Sequence, residues 1–314
     1  MNPIGFLTNI YSWNGVSELA PIVDASARMG FESLELGPSI AATEANVRRI
    51  RDAGLAVSDL IYCRNLLSPD QAEAANHRSE VLTRIAAAAD LEIPVVVLCA
   101  GYADPCADLS AKDSYATIRR PPVDNLEPFV ATYGPLVERA AKAGVRIAFE
   151  HCPIMGNWLI SPHLWRIAFD RLDNANAGLC FDPSHLVWQF IDAYAAVEEF
   201  ADRIFHVHAK DTEIFRDRLA RRGVLSDFAW WENRLPGFGE LNWSRLIHLL
   251  RAGGYDGSLS IEHEDPTWNG SVELVEAGLE AARDHLRRCA HAAAANAATY
   301  TAGDAANERM TRRE

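Results

Sequence analysis

Short apolar runs alternate with longer amphipathic stretches along most of the chain, and this alternation limits the possible folds more than any other feature. The runs are rich in β-branched residues, Leu and Phe, which is typical of strands that are buried on both faces. They are Pro3–Leu7, Ser33–Leu36, Val57–Ile61, Val95–Leu98, Arg146–Phe149, Ala177–Phe181, Ile204–Val207 and Ser258–Ile261. The pattern predicts eight parallel strands.

The stretches between these runs have the spacing of amphipathic helices. They are Val16–Met29, Glu44–Ala53, Gln71–Ala89, Leu126–Ala143, Pro162–Phe169, Ala193–Phe200, Trp243–Ala252 and Val272–Cys289. Gly54 and Gly144 follow two of them as stop signals, and Ser161-Pro162 marks the start of another. Because strand and helix alternate eight times, the sequence predicts an α/β fold, a (β/α)8 barrel that forms a single domain over residues 1–290. An open dinucleotide-binding sheet typically has a Gly-x-Gly-x-x-Gly motif after its first strand, and no such motif follows any of the runs.

Residues 291–314 differ from the rest of the chain, because they are rich in Ala and have no apolar periodicity. We expect a disordered C-terminal tail there. The chain as a whole is acidic, with 30 Lys and Arg against 43 Asp and Glu and a net charge of −13. Proteins that bind the phosphate backbone need a basic surface, so we expect no nucleic-acid partner.

Neither a membrane segment nor an export signal is expected. The longest apolar run, Ile93–Ala100, is far shorter than the roughly 20 residues that span a bilayer. No basic residue precedes Arg28, although signal peptides begin with a basic region. The six cysteines form no Cys-x-x-Cys pair, and a disulfide framework is unexpected in a large chain without a secretion signal. These features predict a cytoplasmic protein.

The predicted strands five to eight each end in a group that can bind a metal ion or transfer a proton. Glu150-His151 ends the fifth run, Asp182 follows the sixth, His206-Val207-His208 ends the seventh, and Glu262 follows the eighth. Catalytic groups of a (β/α)8 barrel lie at the C-terminal ends of its strands, so we expect these side chains to meet at one mouth. Three carboxylates and an imidazole suit a divalent ion with octahedral geometry. Each residue alone is compatible with a capping or ion-pairing role, but the set predicts a metal site.

In these segments the chain resembles the xylose-isomerase-like (β/α)8 barrels, specifically the sugar-phosphate isomerase/epimerase family, which has the ketose 3-epimerases as relatives. The resemblance runs from Gly5 to about Arg288. Its most specific segments are Phe149–Pro153, Phe181–His185, His206–Asp211, Pro236–Glu240 and Ser260–Glu264. The resemblance implies that the metal ligands are Glu150, Asp182, His208 and Glu262. It also implies that the ion is Mn²⁺, with Mg²⁺ or Co²⁺ as possible replacements.

The resemblance further implies a divalent-metal-dependent sugar isomerase/epimerase that acts on a ketose or keto sugar through a metal-stabilised enediolate. Glu150 and Glu262 would be catalytic, transferring protons on opposite faces of the bound sugar, and His185 would contact a sugar hydroxyl. This agrees with elementary chemistry. A carboxylate removes the proton beside a carbonyl quickly only when the developing negative charge is stabilised.

Two segments depart from the ketose 3-epimerases and favour an alternative. Those enzymes typically have Asn-Arg after the first ligand and Gly-Glu after the histidine ligand, whereas this chain has His151-Cys152-Pro153 and Ala209-Lys210-Asp211. Both segments resemble the α-subunits of C-glycoside deglycosidases, which eliminate an aglycone from a 3-keto-glucoside with a His as base. The alternative is therefore a metal-dependent carbon–carbon or carbon–oxygen lyase on 3-keto-glycosides, with His151 as the catalytic base. The first interpretation implies a homo-oligomer, and the second a hetero-oligomer with a small β-subunit.

Further residues are predicted to contact the substrate. Lys210, two residues after His208, is placed to hold a hydroxyl or phosphate, or else to pair with Asp211. The long segment Thr212–Leu241 is predicted to form a lid or a subunit contact. Within it, Trp231 either stacks on a sugar or aglycone or fixes the loop to the barrel. Trp13, after the first strand, is predicted to line the same mouth.

Two other classes of protein fit the sequence less well. Apurinic endonucleases share the barrel, but their three-zinc site needs histidines where this chain has Glu35, Tyr62-Cys63 and Cys99. The negative charge also argues against them. A barrel that acts only as a binding or assembly subunit is distinguishable from an enzyme by its metal content.

Overall fold

The computed structural model describes residues 1–103, 122–153, 157–225, 227 and 229–295, and within them the predicted closed barrel is confirmed. The strands, in chain order, are β1 (Ile4–Leu7), β2 (Ser33–Leu36), β3 (Ala56–Tyr62), β4 (Val95–Cys99), β5 (Arg146–Glu150), β6 (Ala177–Phe181), β7 (Ile204–Ala209), β8 (Asp211–Ile214), β9 (Trp231–Arg234) and β10 (Leu259–Ile261). Eight of them are parallel and close in the order β1-β10-β7-β6-β5-β4-β3-β2. β8 and β9 form a separate antiparallel pair.

Helices follow the barrel strands, as the alternation predicts. They are α1 (Asn9–Trp13), α2 (Leu19–Met29), α3 (Glu44–Asp52), α4 (Gln71–Asp90), α5 (Leu126–Lys142), α6 (Pro162–Leu172), α7 (Ser184–Val187), α8 (Ala193–Glu199), α9 (Arg216–Arg222), α10 (Trp243–Ala252) and α11 (Val272–Ala295). The three short helices α1, α7 and α9 were not predicted. None of the helices in the described ranges combines the length and apolar character needed to cross a membrane.

Burial explains why the strands were recognisable. Every residue of β4 is buried, because one face of the strand points into the barrel and the other packs against the helices. Helices such as α4 bury one face only, and some of them begin with a polar cap: the Asp70 side chain accepts hydrogen bonds from the backbone N–H groups of Ala72 and Glu73 at the start of α4. The result is one continuous apolar layer between the barrel and its helices.

Helix α11 is longer than predicted. It continues to Ala295, so the first five residues of the predicted tail 291–314 are helical, and Ala290 and Ala293 are buried. Ala has the highest helix propensity, so a helix continues through an Ala-rich segment that lacks large apolar residues. Residues 296–314 lie outside the described residues, and disorder there stays a prediction.

The predicted lid segment Thr212–Leu241 forms a hairpin rather than an irregular loop. β8 and β9 pair antiparallel, with α9 between them. The hairpin packs its apolar side through Ile214, Trp230 and Trp231, which form a buried cluster with Trp188 from the segment after α7. The hairpin is therefore fixed to the barrel mouth along one side.

Asp211 anchors this hairpin, and its replacement by Ala is expected to destabilise the protein by about 3 kcal/mol. The buried carboxylate accepts hydrogen bonds from Thr212 N (2.8 Å), Leu241 N (3.1 Å) and Trp243 Nε1 (3.0 Å). Its loss leaves these buried donors without a partner. The free energy of unfolding in urea measures the effect.

Asp192→Ala is the matched control, because Asp192 also accepts two backbone N–H bonds but is exposed at the start of α8. Losing such a helix cap costs about 1 kcal/mol. Equal losses in the two variants would show that Asp211 is no special anchor.

Candidate metal centre

The four predicted ligands come together at the C-terminal ends of four neighbouring strands. Glu150 ends β5, Asp182 directly follows β6, His208 lies near the end of β7, and Glu262 directly follows β10. Ligand atoms of Glu150, Asp182 and His208 all lie within 4.8 Å of one another. His208 Nδ1 lies 3.2 Å from Glu262 Oε2. All four side chains are buried.

Three atoms of this cluster are buried without a hydrogen-bond partner among the described residues: Glu150 Oε1, Asp182 Oδ2 and His208 Nδ1. Leaving a buried polar atom unpaired is costly, and such atoms are uncommon in native proteins. Other cluster atoms are held in place by the backbone. Glu150 Oε2 accepts a hydrogen bond from Cys152 N (2.7 Å), and Asp182 Oδ1 accepts one from Ser184 N (2.9 Å). A donor set of three carboxylates and one imidazole fits a hard or borderline divalent cation.

Lys210 brings a positive charge into the cluster. Its ammonium Nζ lies 2.6 Å from Glu262 Oε2, 3.0 Å from Asp182 Oδ2 and 2.9 Å from Glu264 Oε2. Burial lowers the pKa of Lys210, but these carboxylates outweigh burial and raise it well above its usual value, so the side chain stays charged. The alternative pairing of Lys210 with Asp211 is not observed, because the Asp211 carboxylate faces the hairpin and Trp243.

The carboxyl groups differ in their electrostatic environment. Burial, together with Glu262 and Asp182, raises the pKa of Glu150 to about 8. Burial also raises the pKa of Asp182 to about 6, although Lys210 works against it. At Glu262 burial is outweighed by Lys210 and His208, which hold the pKa below its usual range. So many acids in one buried place repel one another, and a cation among them relieves that repulsion.

His185 is buried beside the cluster, and its contact with a sugar hydroxyl stays a prediction. Its Nε2 is 3.3 Å from Asp182 Oδ2 and 3.6 Å from Glu150 Oε1. Burial lowers the pKa of His185 well below its usual value, so the imidazole is neutral at physiological pH. A neutral imidazole both donates and accepts a hydrogen bond, which suits a sugar hydroxyl.

His151 is buried behind the cluster, next to the backbone that follows β6. Its Nε2 accepts a hydrogen bond from Asp182 N (3.0 Å), and its ring packs against Trp165 with ring centroids 4.7 Å apart. Burial lowers its pKa to about 3. Since its accepting nitrogen is already used by the backbone, His151 holds Asp182 in place, and its predicted role as base has no support in these contacts.

A cavity of about 120 Å³ opens beside the cluster, and Glu150 and Glu262 both line it. Trp13, at the end of α1, forms part of its wall with 57% of its surface exposed, as predicted for a residue at the mouth. Trp231 does not line this cavity. It is only 1% exposed and stacks on Trp188 with ring centroids 4.7 Å apart, so the structure supports its role in fixing the hairpin and not the predicted stacking on substrate.

Several polar residues of the site were missed in the sequence, among them Glu264, Asn233 and Glu35. Glu264 lines the cavity, its side chain is 29% exposed, and Asn233 of β9 donates a hydrogen bond to its Oε2 (3.0 Å). Glu35, at strand β2, lies 3.0 Å from His208. The sequence held a signal for Glu264, which stands two residues after Glu262 at the same strand end. It held none for Asn233, because its position depends on the hairpin.

A closed (β/α)8 barrel with polar groups gathered at the C-terminal strand ends is a class of enzyme scaffold. The chain belongs to the xylose isomerase-like TIM barrel family, whose family model matches residues 23–293. The family and the fold predicted from the sequence are both confirmed.

Individual relatives resemble the chain only in part or at low sequence identity. The uncharacterized protein YfiH of Bacillus subtilis strain 168 is 32% identical over 166 residues, 49% of this chain and 50% of that protein. The inosose dehydratase of Lactiplantibacillus plantarum is 27% identical over 153 residues, 48% of this chain and 50% of that enzyme. The chain thus matches about half the length of these curated relatives. A solved L-ribulose 3-epimerase shares the fold, with a TM-score of 0.72 and 19% identity over 95% of this chain and 98% of the epimerase.

Proposed function

We propose that the protein is a divalent-metal-dependent sugar isomerase/epimerase that acts on a ketose or keto sugar. The observation that carries this proposal is the meeting of Glu150, Asp182, His208 and Glu262 beside a cavity, with Glu150 Oε1 and His208 Nδ1 buried and without a partner among the described residues. These four residues would hold the ion. When bound, an ion of the Mn²⁺ type supplies Lewis acidity beside the substrate carbonyl.

The two glutamates are placed for proton transfer. Glu150 is the last residue of β5, and Glu262 comes directly after β10. Two strands lie between β5 and β10 in the barrel. Both carboxylates line the same cavity. In the proposed mechanism a sugar binds between them, and one carboxylate removes a proton while the other returns it. This arrangement supports epimerisation or a carbonyl shift.

The rest of the cavity wall suits a polyhydroxylated substrate. Trp13 offers an aromatic surface to the C–H face of a sugar ring. Glu264 is fixed through its Oε2 by Lys210 and Asn233, and it faces the cavity as a hydrogen-bond acceptor for hydroxyl groups. His185 adds a neutral donor and acceptor next to the cluster.

Loss of water from a polyhydroxylated ketone, a carbon–oxygen lyase reaction, is the second candidate. The match to inosose dehydratases favours it. Elimination needs the same proton removal and a donor near the leaving hydroxyl, and the Lys210 ammonium lies beside both Glu262 and Glu264. Elimination of a bulky aglycone has less support, because the tryptophan expected to carry it is buried against Trp188.

Product analysis in D₂O tests the proposal. Metal-free protein is reloaded with Mn²⁺ and given free ketoses and inosose in parallel. An isomerase or epimerase yields products that keep every heavy atom of the substrate and carry deuterium at the reacting carbon. A dehydratase yields a product lighter by one water. Absence of both exchange and water loss with every substrate, in protein that has bound Mn²⁺, contradicts both candidates.

Removal of the ion is expected to abolish turnover, and Mn²⁺ is expected to restore it, since proton removal beside a carbonyl needs the charge stabilisation that the ion gives. Elemental analysis should find one divalent ion per chain. Full activity of the metal-free protein, or two ions per chain, would contradict the predicted four-residue site.

A further inference from the structure

A second polar cluster lies inside the barrel, and the proposed function does not use it. It consists of Glu35 at β2, Asp59 in β3, His206 in β7 and Ser260 in β10, all of them buried. His206 precedes the predicted ligand His208 by two residues on the same strand. Because side chains alternate along a strand, both imidazoles point to the same side, and the second cluster adjoins the metal centre.

Glu35 joins the two clusters. Its Oε1 lies 3.0 Å from His208 Nε2, and its Oε2 lies 3.0 Å from His206 Nε2. The Ser260 hydroxyl also donates a hydrogen bond to Oε2 (2.6 Å). Contacts on both oxygens fix the orientation of the carboxylate.

The two ring nitrogens of His208 have different surroundings. Nε2 faces Glu35, whereas Nδ1 faces Glu262 Oε2 at 3.2 Å and has no hydrogen-bond partner among the described residues. A metal ion held among the predicted ligands needs the lone pair of Nδ1, because Nδ1 is the ring nitrogen that faces Glu262. The single N–H of the neutral ring is then on Nε2, where the Glu35 carboxylate accepts it.

We infer that Glu35 is a positioning residue that selects Nδ1 of His208 as the metal-ligating atom, an inference that rests on the proposed metal-dependent function. A carboxylate behind a ligating histidine fixes the tautomer and the ring orientation and makes the ligand more basic. Ser260 contributes by holding the carboxylate in place. Asp59 belongs to the same cluster, but its Oδ1 contacts His206 Nε2 (3.3 Å) and Ser58 Oγ (2.7 Å) rather than His208.

These contacts provide two matched pairs of variants. Glu35→Gln and Asp59→Asn each neutralise one buried carboxylate, and only the first acts on His208. Ser260→Ala removes the hydroxyl that donates a hydrogen bond to Glu35. Ser58→Ala removes the hydroxyl that donates one to Asp59. The measurement is the dissociation constant of Mn²⁺, obtained by titrating the ion into metal-free full-length protein, with no substrate present.

Glu35→Gln is expected to weaken Mn²⁺ binding by about 10- to 100-fold, because its amide can donate to Nε2 and favour the wrong tautomer. Ser260→Ala should weaken binding by a smaller factor, about threefold, since it loosens the carboxylate without removing it. Asp59→Asn and Ser58→Ala should bind Mn²⁺ like the wild-type protein.

The inference is overturned if Glu35→Gln and Ser260→Ala bind Mn²⁺ as tightly as the wild-type protein. It is also overturned if the Asp59 and Ser58 variants lose as much affinity, because the cluster would then act only as a general support. If Glu35→Gln does not fold, the two serine variants decide. Failure of the wild-type protein to bind Mn²⁺ contradicts the proposed function itself, and the inference then falls with it.

Discussion

Glu150→Gln is expected to lower kcat at least ~100-fold, the scale of lost acid–base catalysis. An amide neither removes nor returns a proton at neutral pH, and it also replaces one anionic ligand by a neutral one. Glu262→Gln should have an effect of the same size, because Glu262 lines the same cavity and is the second proton-transferring carboxylate of the proposed mechanism. Rates are measured with saturating Mn²⁺, so that weaker metal binding does not account for the loss.

Glu276→Gln is the matched control, since Glu276 forms a surface ion pair with Arg28. It should leave kcat unchanged, and thermal unfolding of each variant verifies that the fold is intact. If Glu150→Gln retains more than about a tenth of the wild-type kcat in protein that still holds Mn²⁺, Glu150 does not transfer a proton in the rate-limiting step.

Much of the barrel could be predicted from the sequence, because a strand buried on both faces is apolar along its whole length. β4 and β6 illustrate this, with every residue buried. The hairpin of β8 and β9 was not predicted. Its strands are four residues each, β8 begins with the buried polar residues Asp211 and Thr212, and a helix rather than a tight turn joins the strands, so neither apolar alternation nor a turn signal marks them.

The site divides in the same way. The convergence of Glu150, Asp182, His208 and Glu262 follows from the rule that strand ends meet at one mouth of a barrel. The direction in which a side chain points does not follow from it. His151 turns behind the cluster to accept the Asp182 N–H, and Glu35 reaches His208 from β2 across the barrel interior. Such contacts depend on side-chain rotamers and on distances across the barrel. The periodicity of apolar residues in the sequence predicts neither of them.

Lys210→Met is expected to destabilise the metal-free protein by about 3–5 kcal/mol, the cost of breaking a buried ion pair by removing one partner. The ammonium contacts the carboxylates of Glu262, Asp182 and Glu264, and after its loss these acids face one another in a buried place. Met has a similar length, so the change removes the charge with little change in packing. Lys142→Met is the control, because Lys142 is an exposed lysine of α5 and its loss should change stability by less than about 0.5 kcal/mol.

Mn²⁺ distinguishes a charge effect from a packing effect in this variant. A dication bound by Glu150, Asp182, His208 and Glu262 replaces the positive charge that Lys210 supplied. The stability gap between Lys210→Met and the wild-type protein should therefore shrink when Mn²⁺ saturates both, beyond the stabilisation that the ion gives to each of them. The free energy of unfolding in urea, with and without Mn²⁺, measures the gap. A gap that is the same in both conditions would mean that the ammonium and the ion do not share the same carboxylates, and it would contradict binding of the ion by these four residues.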